Sequence, residues 1–297
     1  MARLLAPTLL ATLLAACSPV GVLNALAPSS GIMLLQGLAY APGPRHRLDV
    51  YAPTALGTRR AVVLFFYGGG WEEGSRAEYR FVGAALARHG LVAVIPDYRL
   101  YPHVRFPAFM HDAAAAFSWT AANIADFGGN PRRIFIMGHS AGAQIAALLA
   151  LDTRYLDDAG ADPGDIAGVI GLAGPYDFLP LRTPTLQAIF GSEDEWPLSQ
   201  PINYVTSEAP PFFLAAGTAD KTVYPFNTEH LAARLRRDGV PVAEKLYPGL
   251  GHKLLIGGFA GVLTPLLPVR RDVFDFIANC LASRASLAAR RARALAQ

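Results

Sequence analysis

Gly138-His139-Ser140-Ala141-Gly142 fits the pattern G-x-S-x-G. The pattern by itself is a weak signal, and its surroundings give it meaning. It follows the apolar run Ile134-Phe135-Ile136-Met137 and precedes an Ala-rich stretch that begins at Ala141. A serine on a sharp strand-to-helix turn has its hydroxyl lifted clear of the sheet, at a helix N-terminus that favours negative charge. Small residues on either side relieve the crowding of such a turn. The chemistry this predicts is attack by Ser140 on a carbonyl carbon. That chemistry needs a base, a group that orients the base, and donors for the oxyanion.

An imidazole suits the base, because its ordinary pKa is near neutral. His252, in Gly249-Leu250-Gly251-His252, is the only histidine beyond the last strand expected, Val242–Leu246. Asp220, in Gly217-Thr218-Ala219-Asp220-Lys221-Thr222-Val223, follows the run Phe212–Ala216 and is the expected acid. The chain order Ser, Asp, His is that of nucleophile-elbow enzymes. The plain alternative for Asp220 is a cap on the helix that follows. Asp177, Glu193, Asp194 and Glu195 compete as acids; Asp177 is the best placed, and the other three read as a solvated loop. Tyr67-Gly68-Gly69-Gly70-Trp71 follows the strand-like run Ala61–Phe66, and its glycines let backbone amides approach a substrate. The expected oxyanion donors are Gly69, Gly70 and Ala141. Trp71 fits a packed loop anchor or a substrate contact equally well. His46, His89, His103, His111 and His230 fall on turns or helices without such a context, and the side chain of His139 must diverge from that of Ser140. The chain has no H-E-x-x-H, C-x-x-C or G-x-G-x-x-G motif, so neither a metal nor a nucleotide cofactor is expected.

These residues are positioned by alternating strands and helices. Expected strands are Leu34–Tyr40, Arg47–Tyr51, Ala61–Phe66, Leu91–Pro96, Arg133–Met137, Ile166–Leu172, Phe212–Ala216 and Val242–Leu246. Expected helices are Tyr79–His89, Phe109–Asn123, Ala141–Leu151, Phe226–Arg237 and Val269–Ala282. The continuous apolar strands and the alternation predict an α/β fold, a mostly parallel sheet with helices on both faces. The proline-marked stretch Phe178–Val205 reads as a small irregular cap. Its Phe178, Leu181, Ile189, Phe190 and Trp196 either line an acyl pocket or pack the cap itself.

Composition agrees with one large α/β domain in a chain of 297 residues. With 52% hydrophobic and 16% charged residues, the chain is not disordered, and a net charge of +3 is too small to point to nucleic acid. At the N-terminus, Arg3 precedes the apolar run Leu4–Leu14, well short of the roughly 20 residues that span a bilayer. The run ends in Leu14-Ala15-Ala16-Cys17, which resembles a bacterial lipobox. That resemblance implies a signal peptide over 1–16, lipidation at Cys17 and export to the bacterial envelope. It also implies a membrane-surface attachment through the lipid and a linker over 17–33. Ser18 implies the outer membrane or the periplasmic side. An ordinary signal peptide and a retained anchor are the alternatives. The domain is then 34–282, followed by an Ala/Arg-rich tail over 283–297. Cys280, the only other cysteine, reads as a buried thiol, and no intramolecular disulfide is expected.

Together the motifs resemble the acetyl-esterase/lipase branch of the α/β-hydrolases, close to the BD-FAE domains, named after bifunctional feruloyl and acetyl-xylan esterases. The resemblance rests on Tyr67–Trp71, Asp97-Tyr98-Arg99-Leu100, Gly138–Gly142, Gly217–Val223 and Gly251-His252, and runs from about Leu48 to Ile277. It implies an α/β-hydrolase fold and a serine carboxylesterase acting on a small-molecule ester, with a preference for short acyl groups. It also implies a structural role for Asp97–Leu100, with Arg99 paired to Asp112 and bracing the elbow. Tyr67 stands where the family usually has His, which bears on how the loop is ordered and not on its amides. Two other readings stay open: an amide-cleaving enzyme of arylformamidase or peptidase type, and a non-catalytic lipoprotein that uses the pocket for binding. The fold hosts many chemistries, so the resemblance does not fix the substrate.

Overall fold

The computed structural model of the chain describes residues 19–27, 30–55 and 57–295. The expected signal peptide and Cys17 lie outside the described residues. In chain order the elements are α1 (Pro19–Ala25), β1 (Ile32–Ala39), β2 (Arg47–Pro53), β3 (Arg60–Phe66), α2 (Arg80–Arg88), β4 (Val92–Pro96), α3 (Ala108–Asn123) and β5 (Gly129–His139). They continue with α4 (Ala141–Leu151), α5 (Arg154–Asp158), β6 (Ile166–Leu172), α6 (Pro184–Phe190), β7 (Phe212–Gly217), α7 (Phe226–Arg237), β8 (Val242–Tyr247), α8 (His252–Gly257) and α9 (Val269–Leu295). The eight strands form one sheet in the order β1-β2-β4-β3-β5-β6-β7-β8. β1 pairs antiparallel with β2, and β2 with β4; every other pairing is parallel. This is the mostly parallel sheet that the alternation predicts, in the α/β-hydrolase fold that the resemblance implies.

The central strands are covered on both faces, so they need no polar alternation. All of Ala61–Phe66, Val92–Pro96, Ile166–Leu172 and Phe212–Gly217 is buried. The edge strand β8 is different: Val242–Leu246 mixes half-buried and exposed residues, and only Tyr247 is buried. Helix α4 is buried along its whole length, as a helix apolar all round must be. Helix α7 buries Leu231, Ala232 and Leu235, and it ends in Arg234, Arg236 and Arg237, whose charge suits a helix C-terminus.

Most boundaries fall within two residues of expectation, and three features depart further. β5 starts at Gly129 rather than Arg133, because Gly129 pairs with Arg60 before a register shift that takes Val62 to Ile134. Pro131 falls inside that irregular stretch, where the ladder asks for no N–H. The expected linker over 17–33 contains α1, which is tied down: Asn24 Nδ2 donates to Ala77 O at 2.8 Å, and Phe81 N donates to Asn24 Oδ1 at 3.1 Å. The helix expected to end at Ala282 runs on to Leu295. Residues 283–295 are Ser, Ala, Leu and Arg, without the Gly or Pro that would stop a helix. Arg284 reaches back to Gly164 O at 3.0 Å. Among the described residues no helix is long and apolar enough to cross a membrane.

The loops after β3, β5, β7 and β8 leave the carboxyl ends of parallel strands on one rim of the sheet. That rim is where open α/β sheets bind ligands.

Candidate active site

Ser140 caps the N-terminus of α4 with φ 55° and ψ −125°, a conformation a side-chain-bearing residue rarely takes. Its amide donates to Leu172 O at 2.9 Å, which fixes the turn against β6. The flanking glycines are a steric requirement. A Cβ at Gly138 would lie 2.1 Å from Gly142 O, and one at Gly142 would lie 2.1 Å from Phe66 O. The G-x-S-x-G pattern is thus the imprint of helix α4 pressed against β5 and β3.

Ser140 Oγ lies 2.8 Å from His252 Nε2, and His252 Nδ1 lies 2.7 Å from Asp220 Oδ2. Residues separated by 112 and 32 positions therefore meet in one hydrogen-bonded line. Asp220 is fully buried, and its other oxygen accepts from Thr222 N at 2.8 Å and Val223 N at 2.9 Å. Its carboxylate thus shapes the turn after β7 and faces the imidazole at the same time. The cap alternative does not hold, since α7 begins at Phe226 after Pro225 with no side-chain cap bond, and Asp220 accepts instead from Thr222 N and Val223 N. The competing acids are engaged elsewhere. Asp177 Oδ2 is 2.7 Å from His230 Nδ1, and Glu195 accepts from Ser192 in an exposed loop with Glu193 and Asp194.

The loop Tyr67–Trp71 is held from both ends. At its start the Tyr67 hydroxyl donates to Asp97 Oδ1 at 3.0 Å and accepts from Arg45 Nη2 at 2.6 Å. Tyr98 OH donates to Tyr67 O at 2.8 Å, and the Tyr67 ring lies between those of Tyr79 and Tyr98. Arg45 also donates to Gly74 O and Tyr98 O, and Arg76 bridges Asp97 and Asp49. Burial pushes the Tyr67 hydroxyl far above its ordinary pKa, so it stays protonated. This is how a tyrosine does the ordering work in the position of the family's histidine. At the other end Trp71 is 4% exposed, donates from Nε1 to Gln144 Oε1 at 3.2 Å, and packs against Phe190, Phe178 and Phe109. Trp71 is a packed anchor. Between the two ends, Gly69 has φ +131°, and a Cβ there would sit 2.1 Å from Glu73 O. The amides of Gly69, Gly70 and Ala141 have no acceptor among the described residues.

Arg99 pairs with Asp112 as expected, through Nη2 at 2.7 Å and Nε at 2.9 Å, while its amide donates to Oδ2 at 2.8 Å. The pair ties the loop after β4 to α3 and does not touch the elbow. Within Asp97–Leu100 it is Asp97 and Tyr98 that are joined to the glycine loop, both through Tyr67. Of the cap residues, Leu181, Ile189 and Phe190 are buried in the core, and Phe178 and Trp196 are half-buried. Leu181 and Ile189 pack the cap, and Phe190 both packs against Trp71 and borders a cavity with Phe106, Tyr155 and Leu198. Sequence reasoning missed Arg45, Arg76 and Gln144, whose partners lie tens of residues away. It also set His139 aside, although that ring lies against His252 with centroids 4.8 Å apart. No group of His, Cys, Asp or Glu among the described residues is arranged to hold a metal ion.

The fold and this rim constellation define a class, the α/β-hydrolases. Within it, the BD-FAE family profile matches residues 48–235, and the chain belongs to that family. Esterase LipC of Mycobacterium tuberculosis is 32% identical over 274 residues, which cover 84% of this chain and 66% of that protein. The probable isoprenylcysteine alpha-carbonyl methylesterase ICMEL1 of Arabidopsis thaliana is 29% identical over 73% of this chain and 50% of its own length. The chain thus spans about half to two thirds of these curated relatives. Among solved structures, the hyperthermophilic esterase of the archaeon Pyrobaculum calidifontis superposes with a TM-score of 0.71 at 25% identity, covering 89% of this chain and 90% of that one. A truncated carbohydrate esterase from gut microbiota gives a TM-score of 0.74 at 22% identity, over 86% of this chain and 98% of that one.

Proposed function

We propose that this chain is a carboxylic ester hydrolase that works through an acyl-enzyme on Ser140, with His252 as base and Asp220 as its orienter. The observation that carries the reading is the line Asp220–His252–Ser140, with contacts of 2.7 and 2.8 Å. His252 Nε2 takes the hydroxyl proton as Oγ attacks the ester carbonyl, and the amides of Gly69, Gly70 and Ala141 receive the oxyanion. The C–O bond to the alcohol then breaks, and His252 returns its proton to the leaving oxygen. Water repeats the sequence on the acyl-enzyme and releases the acid. Buried Asp220 holds the proton on Nδ1 and so keeps Nε2 free to accept. The reading includes a preference for short acyl groups; Phe190, Ile189 and Leu181 are buried within the cap.

The esterase names of the relatives and the family match support ester cleavage. The test is a panel of p-nitrophenyl esters of rising acyl length beside matched amides, run with a fluorophosphonate probe. Wild type should be labelled and Ser140→Ala should not, with rates highest on acetyl and butyryl esters. Absence of labelling in both proteins would refute the nucleophile, and faster amide cleavage would refute the ester preference.

For its place in the cell, we propose export with lipidation at Cys17 and attachment to the outer membrane or periplasmic side of the envelope. The 34–282 unit then carries the activity. The lipobox-like Leu14–Cys17 supports this reading, and mass spectrometry of the mature N-terminus tests it.

A further inference from the structure

The residue before the nucleophile makes a contact that the acyl-transfer scheme does not use. His139, the last residue of β5, is 4% exposed. Its Nε2 lies 3.2 Å from the backbone carbonyl oxygen of His252, 113 residues away. A carbonyl only accepts, so Nε2 carries the proton and Nδ1 is bare. Nδ1 is buried without a hydrogen-bond partner among the described residues, beneath the glycine loop: a Cβ at Gly68 would lie 3.1 Å from it. Burial, and then the nearby charge of His252, push His139 down to about 3. The ring is a neutral donor throughout the range in which an esterase works.

The segment that carries His252 needs such a tie. Gly249 and Gly251 flank Leu250, and an added Cβ at either would meet nothing within 4 Å. Leu250 itself is held, since Ala219 N donates to Leu250 O at 3.0 Å and Leu250 N donates to Tyr247 O at 3.3 Å. Past Gly251 the base sits at the first residue of the six-residue helix α8. Asp220 fixes its ring, and His139 holds its main chain directly to the strand that presents the serine.

We infer that His139 is a positioning residue: its Nε2–H bond to the His252 carbonyl sets the distance between base and nucleophile. Its neutral state also lets His252 become positively charged during the reaction without a second cation 4.8 Å away. The inference rests on the triad proposed above. A displacement of about 1 Å at a reacting pair costs on the order of 100-fold in rate, so losing this tie should slow chemistry and leave substrate binding alone.

Two substitutions test it in the full chain. His139→Phe keeps a ring and removes the donor. His139→Gln keeps an N–H donor near the position of Nε2. We expect kcat on p-nitrophenyl acetate to fall about 10- to 100-fold in His139→Phe with KM within about twofold, and His139→Gln to recover to within about fivefold of wild type. Melting curves on the same samples report folding. Wild-type kcat in His139→Phe, or equal losses in both variants that follow a lowered melting temperature, would overturn the role. A Ser140→Ala control separates the two claims. If fluorophosphonate labels wild type and His139→Phe at the same rate but not Ser140→Ala, the triad stands and the positioning role falls. If it labels none of the three, the triad itself falls.

Discussion

Asp220→Asn isolates the acid by changing one heavy atom. Thr222 N and Val223 N both donate to Oδ1, at 2.8 and 2.9 Å, so that position must remain an oxygen. The new amide nitrogen is therefore forced into the place of Oδ2, 2.7 Å from His252 Nδ1. There it can only donate, and Nδ1 must become the acceptor. The imidazole proton moves to Nε2, which faces Ser140 Oγ at 2.8 Å and can no longer accept the serine proton. The wrong tautomer in an intact serine triad costs about 10⁴ in kcat, or about 5.5 kcal/mol of transition-state stabilisation. The fold should survive, since both amide bonds to Oδ1 are kept. The assay is steady-state hydrolysis of p-nitrophenyl acetate near pH 7.5, with melting curves beside it. We expect kcat to fall about 10³- to 10⁴-fold while KM stays within a few-fold. A folded Asp220→Asn protein with kcat within tenfold of wild type would refute the reasoning and return attention to Asp177.

Three further outcomes follow from the same geometry. Gly69→Ala drives a Cβ to 2.1 Å from Glu73 O and should lower kcat/KM at least about 100-fold, whereas at Gly70 the nearest atom is a side-chain oxygen at 3.8 Å, and Gly70→Ala should stay within about tenfold, its positive φ costing about 1 kcal/mol; equal effects in the kinetic comparison would contradict the loop geometry. Because His139 is held down to about 3 from an ordinary 6.5, the unfolded chain binds a proton that the folded chain refuses between those values, so stability should rise with pH through that window, by up to about 1.4 kcal/mol per unit, and level off above it. His139→Phe should flatten the rise in melting temperature between pH 4 and 6.5, and an unchanged slope would speak against the assignment. Burial raises the Cys280 thiol to about 11, and the residue is 8% exposed; a thiol reagent at pH 8 should label its peptide only after denaturation, and native labelling would show the site to be open.

How much could be read beforehand depended on whether the cause was local. β6 and α7 match expectation to the residue. A buried parallel strand is a continuous apolar run, and α7 follows Pro225 with its apolar positions at helical spacing. Ser140, Asp220 and His252 were legible because each lies within a few residues of a strand's carboxyl end, where the fold leaves room for chemistry. The N-terminal helix was not, since it depends on Asn24 meeting Ala77 and Phe81, and a short segment has little helical stability of its own. The Arg45–Tyr67–Asp97–Arg76–Asp49 network escaped for a related reason. Its members are common residue types spread over some fifty positions, and only the packed sheet brings them together. His139 was set aside on the correct ground that its side chain points away from that of Ser140, and that direction is what carries it to His252.

The two ends of the glycine loop show how the site tolerates the change from histidine to tyrosine at position 67. What the loop needs at that point is a buried group that donates to one neighbour and accepts from another. A neutral imidazole can do both, and so can a phenol whose ionisation burial has suppressed. The tyrosine reaches further, and the space is taken up by Arg45 and Asp97, which are paired with the phenol and with one another's partners. Such a network is stable only when every member is satisfied, because an unpaired charge at that depth would cost several kcal/mol. The consequence is coupling: Asp97, Arg45 and Tyr67 stand or fall together, although none of them touches Ser140. The opposite end relies on Trp71 in an aromatic cluster, held to Gln144 on the helix that Ser140 caps. The glycine amides are therefore referenced to the nucleophile through α4 and to the sheet through Asp97. In the proposed mechanism, two independent ties on a five-residue loop would keep hydrogen-bond donors pointed at a position that no ground-state atom occupies.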